Sequence, residues 1–125
     1  MDKTMAMVHT IGVIARRRGT FRPEAYFFVL EALERAMINR EEPGHISGEE
    51  LLDTVRDLGG ERFGVMAGDV FHSWGVHSTL DFGRVVFHLV EEGLLKKQPD
   101  DTLADFLDRY DFQEAFALKV FEGRS

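Results

Sequence analysis

The sequence predicts a mainly α-helical domain (α+β with minimal β) with a helix-turn-helix, winged-helix-like centre and a short two- or three-stranded wing. Three observations predict this class. Apolar residues recur at the spacing of an amphipathic helix along most of the 125-residue chain. Serine, proline and glycine stand where such helices would begin and end. The composition is 44% hydrophobic with eleven phenylalanines, which is enough to build a core.

We expect one domain over residues 1–125, in three parts. Residues 1–20 hold an N-terminal helix, and residues 22–98 form the helical, winged-helix-like core. Residues 99–125 are an acidic and aromatic tail that is expected to pack on that core. No internal repeat or flexible linker divides the sequence.

Two helices are predicted before residue 40. The first covers Thr4–Arg17 and ends at Gly19, with arginines at its carboxyl end where they complement the helix dipole. The second starts at Pro23 and runs to about Asn39. The residues predicted to be buried follow the helical repeat: Met7, Val8, Ile11, Ile14 and Ala15 in the first helix, and Tyr26, Val29, Leu30, Leu33 and Met37 in the second.

A capping box predicts the start of the third helix. In Ser47-Gly48-Glu49-Glu50 the serine oxygen can accept a hydrogen bond from the amide three residues on, while Glu50 reaches back. Gly59-Gly60 is expected to end this helix. The preceding dipeptide, His45-Ile46, is predicted as a very short strand.

Two further helices make the centre resemble a helix-turn-helix over Val70–Val90. One covers Phe63–Trp74 and ends at Gly75. The other begins at Ser78 or Thr79 and ends at Gly93, and its inner face is predicted to comprise Phe82, Val85, Val86, Leu89 and Val90. Leu94–Gln98 is predicted as a strand, and its position after the helix resembles the entry into a wing.

The outward side of the fifth helix carries Arg84, Phe87 and His88, and the tail carries Tyr110 and Phe112. The tail either straps the chain's own core or docks into a partner. The sequence offers an organised scaffold without a catalytic constellation. We therefore expect a non-enzymatic protein-interaction or regulatory module that contacts another protein, or a second copy of itself, through these five residues.

Two alternatives remain open. Arg84, Lys96 and Lys97 would be the contacts of a DNA-binding regulator, although a net charge of −7 disfavours nucleic acid. His77, Asp81 and His88 would be the ligands of a metal-dependent enzyme, although their spacing matches no established metal motif. The sequence points to no cofactor. The absence of cysteine excludes disulfides, thiolate zinc sites and cysteine catalysis.

Charge is unevenly distributed along the chain. Residues 1–22 carry a net +4, residues 23–98 carry −7, and residues 99–125 carry −4. No apolar run approaches the eighteen residues of a membrane span. The arginines follow the first apolar stretch, which is the wrong order for a signal peptide, so we expect a cytoplasmic location.

Several blocks of the sequence resemble a family of small bacterial proteins of unknown function. They include Arg22–Leu33, His45–Leu52, Ser78–Gly83, Leu89–Leu95 and Tyr110–Phe116. The resemblance covers most of residues 22–116. It implies a compact domain to which the tail belongs, and it implies no activity, cofactor or catalytic residue.

Overall fold

The computed structural model describes residues 3–40, 44–96 and 103–117. Six α-helices lie within these ranges, at Lys3–Arg18 (α1), Pro23–Ile38 (α2), Gly48–Phe63 (α3), Ala67–Ser73 (α4), Thr79–Glu91 (α5) and Phe112–Ala115 (α6). Two short 3-10 turns, Gly64–Met66 and Leu103–Phe106, are also present. These ranges contain no strand, so the predicted mainly helical class is confirmed for the described residues.

The wing predicted at Leu94–Gln98 does not form over residues 94–96, the part of it that the structure describes. α5 is followed by Gly93, which has φ +81°, and the chain then turns back on the helix. The amides of Leu94 and Leu95 both donate to the carbonyl of Leu89, at 2.9 and 3.3 Å. Because these amides close the end of α5, they are not available to a neighbouring strand.

The strand predicted at His45-Ile46 is also absent. The carbonyl of His45 accepts a hydrogen bond from the guanidinium of Arg40, and Ile46 is buried. The capping box follows at once and is confirmed. The Ser47 hydroxyl accepts from the Glu50 amide at 3.1 Å, and the Glu50 carboxylate accepts from the Ser47 amide at 3.4 Å.

α3 does not end at Gly59-Gly60, as predicted, but continues to Phe63. A Cβ on Gly59 would lie 2.8 Å from the ring of Phe71, so this glycine lets α4 pack directly against α3. A glycine inside a helix costs about 1 kcal/mol, which the burial of a phenylalanine offsets. The helix predicted over Phe63–Trp74 is shortened, because the 3-10 turn Gly64–Met66 precedes α4.

The turn between α1 and α2 is hydrogen-bonded to the turn between α4 and α5. The amide of Arg22 donates to the carbonyl of Trp74 at 3.0 Å. Gly75 has φ +92°, as expected for a glycine that ends a helix, and a Cβ there would lie 2.7 Å from the carbonyl oxygen of Thr20. Gly75 is therefore needed both for the turn and for the close approach of the two turns.

An aromatic cluster joins α2, α3, α4 and α5. The ring centroid of Phe71 lies 5.3 Å from that of Phe28, 5.6 Å from Trp74 and 5.0 Å from Phe82. Phe63 packs edge-on against Phe71 and Trp74. Aromatic pairs in such arrangements stabilise a core beyond the area that they bury. The cluster belongs to a hydrophobic core that also includes residues of α1 and of the tail.

The described part of the tail packs on this core with three buried aromatic rings, Phe106, Phe112 and Phe116. Its backbone is held by the buried side chain of Thr79. That hydroxyl donates to the carbonyl of Phe106 at 2.6 Å and accepts from the amide of Arg109 at 3.2 Å. Residues 103–117 therefore strap the helices rather than extend into solvent.

α1 is covered along only part of its length. Ile11, Ile14 and Ala15 are buried, whereas every residue from 5 to 9 is exposed. The prediction that Met7 and Val8 are buried is therefore wrong, and Val8 is 48% exposed. Five consecutive exposed residues occupy more than one full turn of the helix, so this half of α1 contributes no side chain to the buried core. We name residues 5–9 the α1 overhang.

Candidate interaction site

α5 provides four of the nine residues that the sequence singles out, but it directs them to different surroundings. Phe82, Val85 and Leu89 enter the core. Asp81 and Arg84 lie at the start of the helix, His88 faces Tyr26 of α2, and Phe87 faces a groove. Arg84, Phe87 and His88, the residues of the predicted surface, therefore have different partners.

Asp81 lies in the first turn of α5 and is buried. One carboxylate oxygen accepts a hydrogen bond from the amide of His77 at 2.9 Å, and the other accepts from Arg84 at 2.7 Å. Ser78 occupies the cap position, but its side chain makes no capping hydrogen bond. The Asp81 carboxylate thus links His77, which precedes the helix, to Arg84 within it. Arg84 is exposed, and it is already held in this ion pair.

His88 is a hydrogen-bonded residue at the junction of α1, α2 and α5. Its Nδ1 lies 2.9 Å from the hydroxyl of Tyr26, and its ring centroid lies 5.6 Å from that of Phe21. Burial lowers the pKa of His88, and the positive charge of Arg18 lowers it further. Burial also raises the pKa of Tyr26, so the hydroxyl stays protonated beside the imidazole. The placement does not fit the predicted contact with a partner.

The three proposed metal ligands are not brought together. Asp81 contacts His77 only through the backbone amide, and Asp81 and His88 are two helical turns, about 10 Å, apart. In the described ranges, no group of three or more His, Cys, Asp or Glu side chains is placed to hold a metal ion.

The carboxyl end of α1 is tied to the end of α5 by charge. Arg17 and Arg18 both contact the carboxylate of Glu92, with the Nη2 of Arg18 at 3.0 Å, and Arg18 also lies 3.6 Å from Glu91. Hydrogen bonds from the two arginines lower the pKa of Glu92. Two of the arginines that make residues 1–22 basic are therefore partly neutralised within the chain.

Phe87 lies in an apolar groove between α2 and α5 that has a volume of about 240 Å³. The phenylalanine itself is partly buried. The apolar side chains that line the groove are Leu33, Met37, Ile46, Leu51, Val86, Phe87, Val90, Leu95 and Phe106, and the exposed Lys96 lines it too. We name this feature the α2–α5 groove.

Met37 extends one wall of the groove into solvent. The sequence predicts that it is buried, which is wrong, because the side chain is 61% exposed. The last buried residue of α2 is Ala36, so the final turn of the helix runs past the core. Ile38, the next residue, is still more exposed. The sequence does carry a sign of this exposure. Ala36, Met37 and Ile38 are three consecutive apolar residues, and consecutive residues point in different directions around a helix, so they do not all fit on one buried face.

Phe106 of the tail forms one end of the α2–α5 groove. A Cβ on Gly48 would lie 3.2 Å from its ring, and a Cβ on Gly83 would lie 2.6 Å from it. A glycine on each helix therefore allows the ring to insert between α3 and α5. The groove is continuous with the space between α3 and α5 that the Phe106 ring fills. The sequence gives no sign of this space, because Gly48 and Gly83 are distant along the chain.

Tyr110 and Phe112 face the chain's own core. The hydroxyl of Tyr110 donates to the carbonyl of Leu52 at 2.7 Å, and the guanidinium of Arg56 lies 5.9 Å from the ring centroid. Burial raises the pKa of Tyr110. Phe112 is buried. The predicted contact of these two residues with a partner does not fit their positions.

A polar cleft of about 880 Å³ lies between α4 and the tail, and sequence reasoning missed it. The rings of His72 and His77 meet there, with centroids 4.0 Å apart, and the carboxylates of Asp69 and Glu114 also line the cleft. Ser78 is nearby, but within the described residues no hydrogen bond joins it to either imidazole. The described part of the cleft therefore holds no activated nucleophile.

The residues considered for DNA contact are not concentrated on one surface. Arg84 is paired with Asp81, Lys96 lies on the α2–α5 groove, and Lys97 is outside the described residues. No helix among the described residues is long and apolar enough to cross a membrane.

Comparison of the chain with models of known families, with curated proteins and with solved structures finds no match. The resemblance to small bacterial proteins of unknown function therefore stays a prediction from the sequence.

Proposed function

We propose that this protein is a non-enzymatic interaction module that binds an apolar helical segment of a protein in the α2–α5 groove. The groove carries the proposal, because it is an open apolar feature that the described residues leave unfilled beside Phe87 and Met37. The cytoplasmic location expected from the sequence is part of the same proposal.

The shape and chemistry of the groove support a helical segment with apolar anchors. Leu33 and Met37 on one wall, and Val86 and Val90 on the other, are each one helical turn apart, about 6 Å. Anchors spaced by three or four residues on a bound helix have the same separation. Exposed methionine suits such a wall, because its flexible side chain adapts to different partners.

The charge of the surrounding chain supports basic rather than acidic flanks on the bound segment. Residues 23–98, which form both walls, carry a net −7. The described lining of the groove itself contains Lys96 and no carboxylate, so the attraction of a segment with lysine or arginine beside its apolar anchors would come from the wider chain and would weaken as salt is added.

The proposal is tested by selecting helical peptides that bind the chain from a displayed random library. We expect the selected peptides to share two apolar anchors one turn apart. Met37→Asp should weaken their binding about tenfold or more, because it places a charge on the groove wall. Met66→Asp is the matched control, since Met66 is also exposed and does not line the groove.

Peptides that bind Met37→Asp and Met66→Asp equally well would overturn the proposal, as would a selection that yields no binder. Far-UV circular dichroism of both variants establishes that neither substitution unfolds the helices. Phe87→Ala should also weaken peptide binding, because Phe87 lines the groove. This substitution should lower the free energy of unfolding as well, because Phe87 is partly buried.

DNA binding through Arg84, Lys96 and Lys97, on a winged-helix centre, is the first alternative, and a metal-dependent enzyme at His77, Asp81 and His88 is the second. No observation on the described residues favours either of them. A mobility shift with pooled DNA fragments at low salt would revive the first alternative, and stoichiometric metal in the purified protein would revive the second.

A further inference from the structure

Two histidines meet in the polar cleft between α4 and the tail. The ring centroids of His72 and His77 are 4.0 Å apart and the ring planes are inclined at 70°, so the two imidazoles contact each other edge to face. Both residues are exposed, so solvent reaches both rings. The packing of the core therefore does not account for their contact.

The backbone that carries the pair is fixed on both sides. Phe71 and Val76, which directly precede the two histidines, are fully buried, and the amide of Val76 donates to the carbonyl of Phe71 at 3.0 Å. The amide of His77 donates to the carboxylate of Asp81 at 2.9 Å. The turn therefore holds the two imidazoles side by side in advance, which reduces the entropy that is lost when a ligand binds both of them.

Two adjacent imidazoles form a chelating pair for a transition-metal ion. Neutral imidazole nitrogen suits zinc, copper and nickel, whereas carboxylates and water suit magnesium and calcium. In a tetrahedral zinc site the metal–nitrogen distance is about 2.1 Å, which places the centres of two bound rings about 5 Å apart. The rings of His72 and His77 would separate by only about 1 Å to reach this arrangement, which rotation of exposed side chains allows.

The charge of the cleft favours a bound cation. The charged side chains that line its described part are one guanidinium, Arg109, and four carboxylates, Asp69, Asp108, Asp111 and Glu114. This excess of negative charge attracts a divalent ion. Among the residues that the structure describes, no third side chain completes a metal site with the pair, so the remaining coordination positions are open to water or to a donor atom of a bound molecule.

We infer that His72 and His77 together bind one divalent transition-metal ion of the zinc, copper and nickel class in the polar cleft. The ion would join the carboxyl end of α4 to the turn before α5. The cleft shares no described lining residue with the α2–α5 groove, so this inference is independent of the proposed function.

Isothermal titration calorimetry of the full chain, prepared without a histidine tag, tests the site with zinc chloride. We expect about one ion per chain, and we expect His72→Gln and His77→Gln each to weaken zinc binding about tenfold or more, because each variant keeps a single imidazole of the pair. Both side chains are exposed, and the bond to Asp81 uses the backbone of His77, so the helices should persist by circular dichroism.

Histidines elsewhere in the chain provide the matched controls. His9→Gln and His88→Gln should bind zinc like the parent chain, because neither residue lines the described part of the cleft. Loss of zinc binding in His88→Gln would assign the ion to His77, Asp81 and His88 and overturn the inference. A parent chain that binds no zinc would also overturn it, as would binding that persists when His72 and His77 are both replaced.

Magnesium chloride separates the histidine pair from the carboxylates of the cleft. We expect magnesium to bind at least about tenfold more weakly than zinc, because imidazole is a poor ligand for magnesium. Equal affinities would assign the ion to the carboxylates and overturn the inference. Met37→Asp should bind zinc like the parent chain, so a failure of the peptide selection and a failure of the metal site are separate results.

Discussion

The burial of His88 makes the stability of this protein depend on pH. Histidine in an unfolded chain has a pKa of about 6.5, and burial beside Arg18 lowers the pKa of His88 in the folded chain. Between these two values the unfolded state binds more protons. The free energy of unfolding therefore falls as the pH decreases below about 7 and stops falling below the lowered pKa.

His88→Gln should flatten this dependence. The glutamine amide offers Tyr26 an acceptor and does not titrate. We expect the melting temperature of the parent chain to drop more between pH 7.5 and pH 5.5 than that of His88→Gln. His9→Gln is the matched control, because His9 is exposed on the α1 overhang and should keep the parent slope. Equal slopes for all three chains would assign the dependence to other groups.

Charged and aromatic side chains from α1, from the turn after it, from α2 and from α5 surround His88. Arg18 comes from α1, Phe21 from the following turn and Tyr26 from α2, while Arg84 and Glu91 lie on α5 and Glu92 directly follows it.

The carboxylates of Glu31 and Glu92 also have a lowered pKa, because arginines donate hydrogen bonds to them. Their contribution is lost at lower pH, below their ordinary value of about 4.3.

Two helices that begin with serine differ in how the serine is used. The Ser47 hydroxyl accepts a hydrogen bond from the Glu50 amide at the start of α3, whereas Ser78 precedes α5 without a side-chain capping bond. Position and residue type are the same in both helices. The two serines differ in their side-chain hydrogen bonds, because Ser47 makes a capping bond and Ser78 does not.

Ser47→Ala should lower the free energy of unfolding by about 1 kcal/mol, the usual effect of removing a capping side chain. Ser78→Ala should change it by less than about 0.5 kcal/mol, as expected for a surface substitution that breaks no bond. Urea denaturation of both variants measures the difference. A loss at Ser78 as large as that at Ser47 would contradict the observation that the Ser78 side chain caps no amide of α5.

Helix boundaries show how far local sequence determines an element. The capping box fixed the start of α3 correctly, because both of its hydrogen bonds are made within four residues. Its end was misplaced, because Gly59 serves close packing against Phe71, a contact that local sequence does not reveal. The strand predicted after α5 does not form over residues 94–96 for a similar reason, since the amides of Leu94 and Leu95 bond to the carbonyl of Leu89.

For the whole molecule, the tail is the element that closes the core. Phe112 packs against Phe71 and Phe82, with ring centroids at 5.4 and 6.0 Å. Phe112→Ala should lower the free energy of unfolding by about 3–5 kcal/mol, because it removes a large ring and leaves a cavity. Leu107→Ala is the control, since Leu107 is 53% exposed and its loss should cost little. Urea denaturation would contradict this role of the tail if the two variants were equally stable.

The sequence predicted the helical class and most of the core, because these depend on the spacing of apolar residues. The candidate site was predicted only at Phe87. Met37 was assigned to the core, and Tyr110 and Phe112 were assigned to a surface, because periodicity shows which residues share a helix face and not where neighbouring helices end. The α2–α5 groove arises from such an ending, where the last turn of α2 runs past α5.

The position of Trp74 provides an optical reporter of the interior. It is the single tryptophan of the chain, it is nearly buried, and its ring meets Phe28, Phe63 and Phe71. Its emission wavelength therefore follows the entry of water at the meeting point of three helices, α2, α3 and α4, without any label. If this emission and the helical ellipticity change together during denaturation, the helices and the aromatic cluster unfold as one cooperative unit.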